Sequence, residues 1–218
     1  MALALFDLDN TLLAGDSDHL WGQFLVDRGL VDGDAYAQAN DRFYREYREG
    51  TLDIAAFLRF ALRPLREHPR ERLEALRAEL MREVIAPIML PAARDLIESH
   101  RAAGDTLLIV TATNAFVTSP IAAAFGVPHL IATEPEQIDG RYTGAVAGIP
   151  AFREGKVLRL QAWLTERGET LAGSTFYSDS HNDLPLLLQV ERPVAVDPDP
   201  TLRETALARG WPILSLRG

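Results

Sequence analysis

The sequence predicts an α/β protein: a mostly parallel sheet with helices on both faces, interrupted near its start by an inserted helical bundle. Three observations carry this. Residues 2–6 form a short apolar run, with Leu3, Leu5 and Phe6 supplying bulk, which reads as a buried strand. Residues 16–85 contain helical patterns and no convincing strand. After Pro87 apolar strands and amphipathic helices alternate, the order that builds a parallel sheet covered on both faces.

Within the helical stretch, Leu20, Trp21, Phe24 and Leu25 repeat at helical spacing, and Arg28-Gly29 ends the segment. Residues 34–49 form a second helix closed by Gly50. Thr51 is expected to cap a third helix over 52–62, where Ile54, Phe57, Leu58 and Ala61 share a face. Pro64 and Pro69 mark the turn into a fourth helix bearing Leu73, Leu76, Leu80 and Val84. Four helices on short loops predict a small antiparallel bundle.

The second half reads as helix 92–103, strand 106–110, helix 115–125 and a short strand at 129–132. Asp139-Gly140 is a hairpin signal joining 137–138 to 141–146. Helix 156–167, strand 174–178, helix 184–190, strand 193–196, helix 201–209 and a last strand near Ile213 follow. The domain expectation is therefore one unit made of 1–15 and 86–218, with 16–85 inserted just after its first strand.

Composition narrows the function. With 218 residues, 47% of them hydrophobic and 24% charged, the chain has the balance of a soluble globular protein. Its net charge of −9 argues against nucleic acid or an anionic membrane surface as partner. The absence of cysteine excludes disulfides, thiolate nucleophiles and zinc–thiolate sites, and is compatible with a cytoplasmic location. No apolar run reaches membrane-spanning length, and residues 1–6 lack the basic and long apolar regions of a signal peptide. Oligomeric state is not legible.

The chemistry-bearing residues lie where predicted strands end. Asp7-Leu8-Asp9-Asn10-Thr11 follows the first strand, placing two acids at the sheet's carboxyl edge, where open α/β sheets bind ligands. Two acids there call for a balancing cation, although an Asx-type turn explains a lone Asp-x-Asp equally well. Thr111-Ala112-Thr113-Asn114 follows the second strand; Thr111 reads either as a phosphate donor or as a helix N-cap. Gly155-Lys156 opens a helix, and its lysine reads as an anion's point charge or a solvated side chain. Ser174 to Ser178 delivers Asp179-Ser180-His181-Asn182-Asp183. Carboxylates at two strand ends, with a threonine and a lysine between, form a coherent set.

That order resembles the haloacid dehalogenase superfamily of phosphohydrolases, over almost the whole chain and most closely in its phosphoserine-phosphatase-like branch, histidinol-phosphatase-like members included. Asp139-Gly140-Arg141-Tyr142-Thr143-Gly144 and Asn182-Asp183-Leu184-Pro185 are further local matches. The resemblance implies a Rossmann-like core, a helical cap over the strand ends formed by 16–85, and Mg²⁺-dependent hydrolysis of a small phosphorylated metabolite. By the same resemblance, Asp7 is the nucleophile and Asp9 the general acid and base. Mg²⁺ is held by Asp7, the Asp9 carbonyl and Asp179. Thr111, Lys156 and Asn182 contact phosphate, and Asp183 orients metal waters or Lys156. Thr11 is expected to stabilise the turn.

Two departures bear on substrate. Phosphoserine phosphatases commonly carry a glutamate shortly after the first motif, where this chain has Ala14-Gly15-Asp16-Ser17-Asp18. Their Ser-Gly-Gly is here Thr111-Ala112-Thr113. A phosphorylated amino alcohol such as histidinol phosphate thus rivals phosphoserine, with Asp16 or Asp18 available to an ammonium group. The alternatives are a phosphotransferase using the same aspartyl-phosphate, or a non-catalytic phosphate- or metal-binding protein. His181 is read as an exposed spacer, and Trp21, Phe24, Phe57 and Phe60 as bundle core. Arg42, Arg45, Arg48, Arg59 and Arg63 read as a mostly solvated face.

Overall fold

The computed structural model describes residues 2–217. Its sheet has six strands, all parallel, with β1 (Leu3–Phe6) in the interior. On one side of β1 lies β2 (Thr106–Asn114), then β3 (His129–Thr133). On the other lie β6 (Thr175–Ser178), β7 (Arg192–Val196) and β8 (Ile213–Leu214). The chain order reverses across β1, so the crevice at its carboxyl end is the switch point where such sheets open a ligand site.

Side-chain alternation divides the core into two layers. Ala4 and Phe6 face the apolar cluster that includes Ala93 and Ile97 of α7 (Pro91–Ala102) and Val117 and Ile121 of α8 (Ala115–Ala124). Leu3 and Leu5 face Leu160 and Leu164 of α9 (Glu154–Arg167) and Leu202 of α11 (Pro200–Arg209). Between them α10 (Leu184–Leu187) follows a one-turn 3₁₀ segment, His181–Asp183, and is shorter than the sequence pattern suggests. The hairpin of β4 (Pro135–Ile138) and β5 (Arg141–Val146) forms as expected, with Asp139 and Gly140 both at positive φ, the requirement of its two-residue turn.

Five helices and a π turn follow β1: α1 (Ser17–Asp27), α2 (Gly33–Glu49), α3 (Ile54–Ala61), α4 (Arg63–Glu67), α5 (Arg70–Leu80) and Met81–Ile85. A single-turn α6 (Ala86–Ile88) then leads back to the core. The expected fourth helix is α5, and the turn expected before it holds a further short helix, α4, which ends where His68 takes the extended conformation that a following proline favours. Thr51 does not cap α3. Its N–H closes the end of α2 on the Glu46 carbonyl, and Asp53 caps α3 by accepting from Ala55 and Ala56. Nor is the segment a self-contained bundle. Trp21, Phe24, Leu62, Leu65 and Leu73 join the same apolar cluster as Phe6 and Ile109, and α3 and α4 lie against β5. Its two connections to the core run side by side: the Ala14 N–H donates to the Ile88 carbonyl (2.8 Å), and the Leu90 N–H to the Leu12 carbonyl (3.2 Å). These connectors include the Gly15 and Ala86-Pro87 stretches.

Candidate active site

Strands β1, β2 and β6 end side by side, and their next residues meet in one crevice. Asp7 follows β1, where its N–H extends the pairing to the Tyr177 carbonyl. Asp179 follows β6. One hydroxyl joins them: Thr11 Oγ1 lies 3.1 Å from Asp179 Oδ1 and 3.4 Å from Asp7 Oδ2, and accepts from the Asp179 N–H at 3.0 Å. Thr11 thus fixes the motif's turn against the neighbouring strand end. Asn10, at φ 58°, supplies the left-handed step of that turn.

Lys156 is 1% exposed, far from a solvated lysine. Its Nζ lies 2.8 Å from Asp7 Oδ1 and 2.7 Å from Asp183 Oδ1. Gly155 permits this, since a Cβ there would lie 2.0 Å from the Pro150 carbonyl oxygen, so α9 can start this close to the preceding loop only with glycine. Asp183 makes no capping bond to α10; its Oδ2 accepts from Ser178 Oγ at 2.7 Å. Burial opposes the charge on Lys156, but Asp183 and Asp7 outweigh it and hold the ammonium above its ordinary range. Burial raises Asp7 to about 7, with Lys156 pulling the other way.

Asp9 faces the same crevice. Its Oδ1 accepts from the Ser17 N–H at 2.6 Å and its Oδ2 from Thr113 Oγ1 at 2.7 Å. Thr111 Oγ1 is 3.5 Å from Asp9 Oδ2 and accepts from the Thr113 N–H, while Asn114 caps α8. Thr111 is therefore not that helix's cap. Burial and the neighbouring Asp16 raise Asp9 to about 6. Asp16 caps α1 through Oδ1, which accepts from the Asp18 and His19 N–H groups, and burial raises it too, to about 6. Asp18 and Asp179 are pushed well above the carboxylate range, chiefly by burial.

Above these acids opens a pocket with about 540 Å³ of empty space, its open mouth included. Asp7, Asp9, Thr111, Ala112 and Thr113 form its floor, and Asp16 and Asp18 one wall. Phe43, Tyr44, Tyr47, Phe57 and Phe152 supply aromatic surface. Phe57 therefore lines the pocket and is not simply helix-packing core. No lysine or arginine is among the lining residues, and the five arginines named above are exposed. His19 also lines the pocket; its Nδ1 meets Asn40 Nδ2 at 3.1 Å, and burial lowers its pKa toward the neutral form.

Asn182 is placed otherwise. Its Nδ2 donates to the Tyr47 carbonyl at 2.9 Å and its Oδ1 accepts from Arg153 Nε at 2.9 Å, so its amide engages α2 and not the pocket. His181 is not an exposed spacer: its Nδ1 and its N–H both lie 2.7 Å from Asp199 Oδ2. Thr113, Arg153 and Tyr47 were not singled out by the sequence pattern. Thr113 was within reach, because a strand continued past Val110 puts Thr111 and Thr113 on one face.

The donors around Asp7 and Asp179 suit a hard divalent cation. They are oxygens only, two partly protonatable carboxylates whose buried charge needs compensation, and no protein donor reaches the Asp9 carbonyl among the described residues.

A parallel sheet with acids at two adjoining strand ends, a buried lysine between them and a helical insertion after β1 defines a class of phosphoryl-transfer hydrolase. The family model for haloacid dehalogenase-like hydrolases matches residues 4–188, and the chain belongs to that family as a phosphomonoesterase of its phosphoserine-phosphatase-like branch. It is 49% identical over 219 residues to a histidinol-phosphatase of Neisseria meningitidis serogroup C, covering 99% of both chains. It is 35% identical over 221 residues to a phosphoserine phosphatase of Mycobacterium tuberculosis, covering 99% of this chain and 71% of that protein. Among solved structures, a protein of unknown function from Bordetella pertussis Tohama I is 50% identical with a TM-score of 0.93, covering 99% of this chain and 98% of that one. A phosphoserine phosphatase captured as a phospho-aspartyl intermediate analogue shares the fold, with a TM-score of 0.72 at 20% identity; the match covers 99% of this chain and 93% of that one. Phosphatases of this kind typically use a divalent metal, and no helix among the described residues is long and apolar enough to cross a membrane.

Proposed function

We propose that the chain hydrolyses a phosphorylated amino alcohol through an aspartyl-phosphate on Asp7, with Mg²⁺ as the divalent metal. The observation that carries this reading is the pairing of Asp7, held by Lys156, with a second acid, Asp9, in the same crevice and held at both oxygens. A phosphate monoester's own charge repels nucleophiles, so positioning and neutralisation dominate its cleavage.

Asp7 attacks phosphorus through a carboxylate oxygen as the ester P–O bond breaks, and the departing oxygen takes a proton from Asp9. In the second step Asp9 removes a proton from water, water's oxygen bonds to phosphorus, and the bond to Asp7 breaks. Lys156 and Thr111 hold phosphate oxygens, and Asp183 keeps Lys156 in place. Asn182 serves phosphate only after leaving Tyr47. Asp7, the Asp9 carbonyl and Asp179 would hold Mg²⁺, which would supply charge neutralisation and orientation. Residues 16–85 act as the cap, closing over 1–15 and 86–218 about the paired connectors near Gly15 and Ala86.

Pocket chemistry and the histidinol-phosphatase relative support a substrate like histidinol phosphate over phosphoserine. A substrate carboxylate would meet Asp16 and Asp18 with no lysine or arginine on the pocket lining to pair with, whereas an ammonium would find two acids. The second oxygen of each takes no hydrogen bond among the described residues. An aromatic side chain would rest against Phe43, Tyr44 and Phe57.

A panel of phosphate esters assayed with Mg²⁺, with and without alcohol acceptors, tests substrate and separates hydrolysis from transfer. Mass spectrometry of a trapped intermediate locates the phosphate. Phosphate on a residue other than Asp7, or activity that survives exhaustive chelation, refutes the mechanism.

A further inference from the structure

Arg153 adopts φ 50°, ψ −119° within a turn closed by the Gly155 N–H on the Phe152 carbonyl at 2.8 Å. These are the dihedrals of the first central position of a type II′ turn, a position glycine dominates. A non-glycine residue persists there only where its surroundings over-determine it, and such strain gathers at functional sites. The Arg153 side chain shows what holds it. Nε donates to Asn182 Oδ1 at 2.9 Å, Nη2 donates to the Gly50 carbonyl at 2.5 Å, and the guanidinium lies 5.0 Å from the Phe152 ring centre.

Gly50 ends α2. The last turn of a helix leaves carbonyls without intrahelical partners and carries partial negative charge. Here the core supplies donors: Arg153 takes the Gly50 carbonyl, and Asn182 adds a second donor to the Tyr47 carbonyl, which also accepts from the Gly50 N–H at 3.2 Å. The same helix presents Phe43, Tyr44 and Tyr47 to the pocket. Arg153 itself stands three residues before Lys156, and Asn182 one before Asp183. The strained turn thus links the aromatic wall to the residues around the reacting phosphate.

We propose that Arg153 is a positioning residue that latches the end of α2 to the core and sets the aromatic wall against the phosphate's leaving group. The inference rests on the phosphatase reading for its kinetic consequence, but the latch itself has an independent readout. Arg153→Gly relieves the turn's backbone strain while removing the side chain, so loss of folding does not obscure its effect. Arg153→Lys keeps a cation but loses the fork.

Hydrogen–deuterium exchange and kinetics on the full chain test the proposal. In Arg153→Gly, amides of residues 44–50 should exchange faster, with β1 and β2 unchanged. The kcat/KM for histidinol phosphate should fall about tenfold, the scale of one lost charge-assisted hydrogen bond. Acetyl phosphate, whose leaving group is too small to need the wall, should be largely spared. Arg153→Lys should recover part of both effects. Unchanged exchange at 44–50, or equal losses on the two substrates, would overturn the proposal. If the unaltered chain cleaves neither substrate, the proposed substrate reading fails; the exchange result still decides whether the latch exists, and the claim about the leaving group falls.

Discussion

Lys156 Nζ sits between two carboxylates, 2.8 Å from Asp7 Oδ1 and 2.7 Å from Asp183 Oδ1, in a setting almost closed to solvent. A buried cation shared in this way is fixed from both sides. Its removal strands two acids, and breaking a buried pair typically costs about 3–5 kcal/mol. Lys156→Met should therefore lower the denaturation midpoint sharply in metal-free buffer. Lys156→Met combined with Asp183→Asn should regain part of the loss, because one stranded charge is gone. Additive losses in urea titrations would argue that Lys156 and Asp183 are not coupled.

Asp183→Asn alone addresses function. With its outer partner neutral, Lys156 leans on the nucleophile, and loss of an orienting partner of this kind costs roughly 10–100-fold in activity. The expected result is a lower kcat with a small change in KM. A change confined to KM would instead make Asp183 a substrate-binding residue.

The acids also set a pH dependence. Burial raises Asp7 to about 7 and Asp9 to about 6 in the metal-free fold, against 3.8 for an ordinary aspartate. Between about pH 4 and 7 the unfolded chain therefore binds fewer protons than the folded one. Stability must fall as pH rises through that window. A divalent cation that binds only the folded site should offset the loss, increasingly so toward pH 7. Thermal melts from pH 4 to 8, with and without Mg²⁺, check both signs; a metal-free midpoint that rises steadily over pH 4–7 contradicts them.

Glycine at 155 presents two opposed effects. Alanine would favour a helix by about 1 kcal/mol over glycine. Its Cβ would meet the Pro150 carbonyl oxygen at 2.0 Å, a contact with backbone that cannot swing aside. Overpacking of this kind costs about 1–3 kcal/mol, so the clash should win. Gly155→Ala should be destabilised, and it should lose activity by shifting Lys156. A stabilised, fully active variant would mean the loop at 150 yields freely.

Much of this was legible because period and punctuation agree with the fold. The strands at Leu3–Phe6 and Thr175–Ser178 are short apolar runs followed by acids, so Asp7 and Asp179 announced themselves at the sheet edge. The inserted helices were legible as helices, but not their attachment: Trp21 and Phe24 read as bundle core, and nothing local says that they share a cluster with Phe6. Asn182 and Arg153 were harder still. Their partners are main-chain carbonyls of Tyr47 and Gly50, more than 100 positions away, and carbonyls leave no trace in residue identity. Thr113 was lost to a boundary, since β2 runs to Asn114 and not to Val110.

Asp16 and Asp18 carry the final expectation. Asp16 uses one oxygen to cap α1, and Asp18 Oδ1 lies 3.4 Å from Asn114 Nδ2. Each keeps a second oxygen for the pocket, where burial makes bare charge costly and an ammonium group welcome. Asp18→Asn should raise KM for histidinol phosphate while largely sparing p-nitrophenyl phosphate, which brings no amine. Asp16→Asn should do the same with α1 still capped, because an amide oxygen also accepts from the Asp18 and His19 N–H groups. Melting curves check that the loss is one of affinity: neither variant should be less stable than the unaltered chain at neutral pH, since burial disfavours both charges. Equal losses on the two substrates from Asp18→Asn would assign that aspartate to the support of Asp9 or of the metal and not to the amine. No loss on either would leave the amine to be read elsewhere on the aromatic wall.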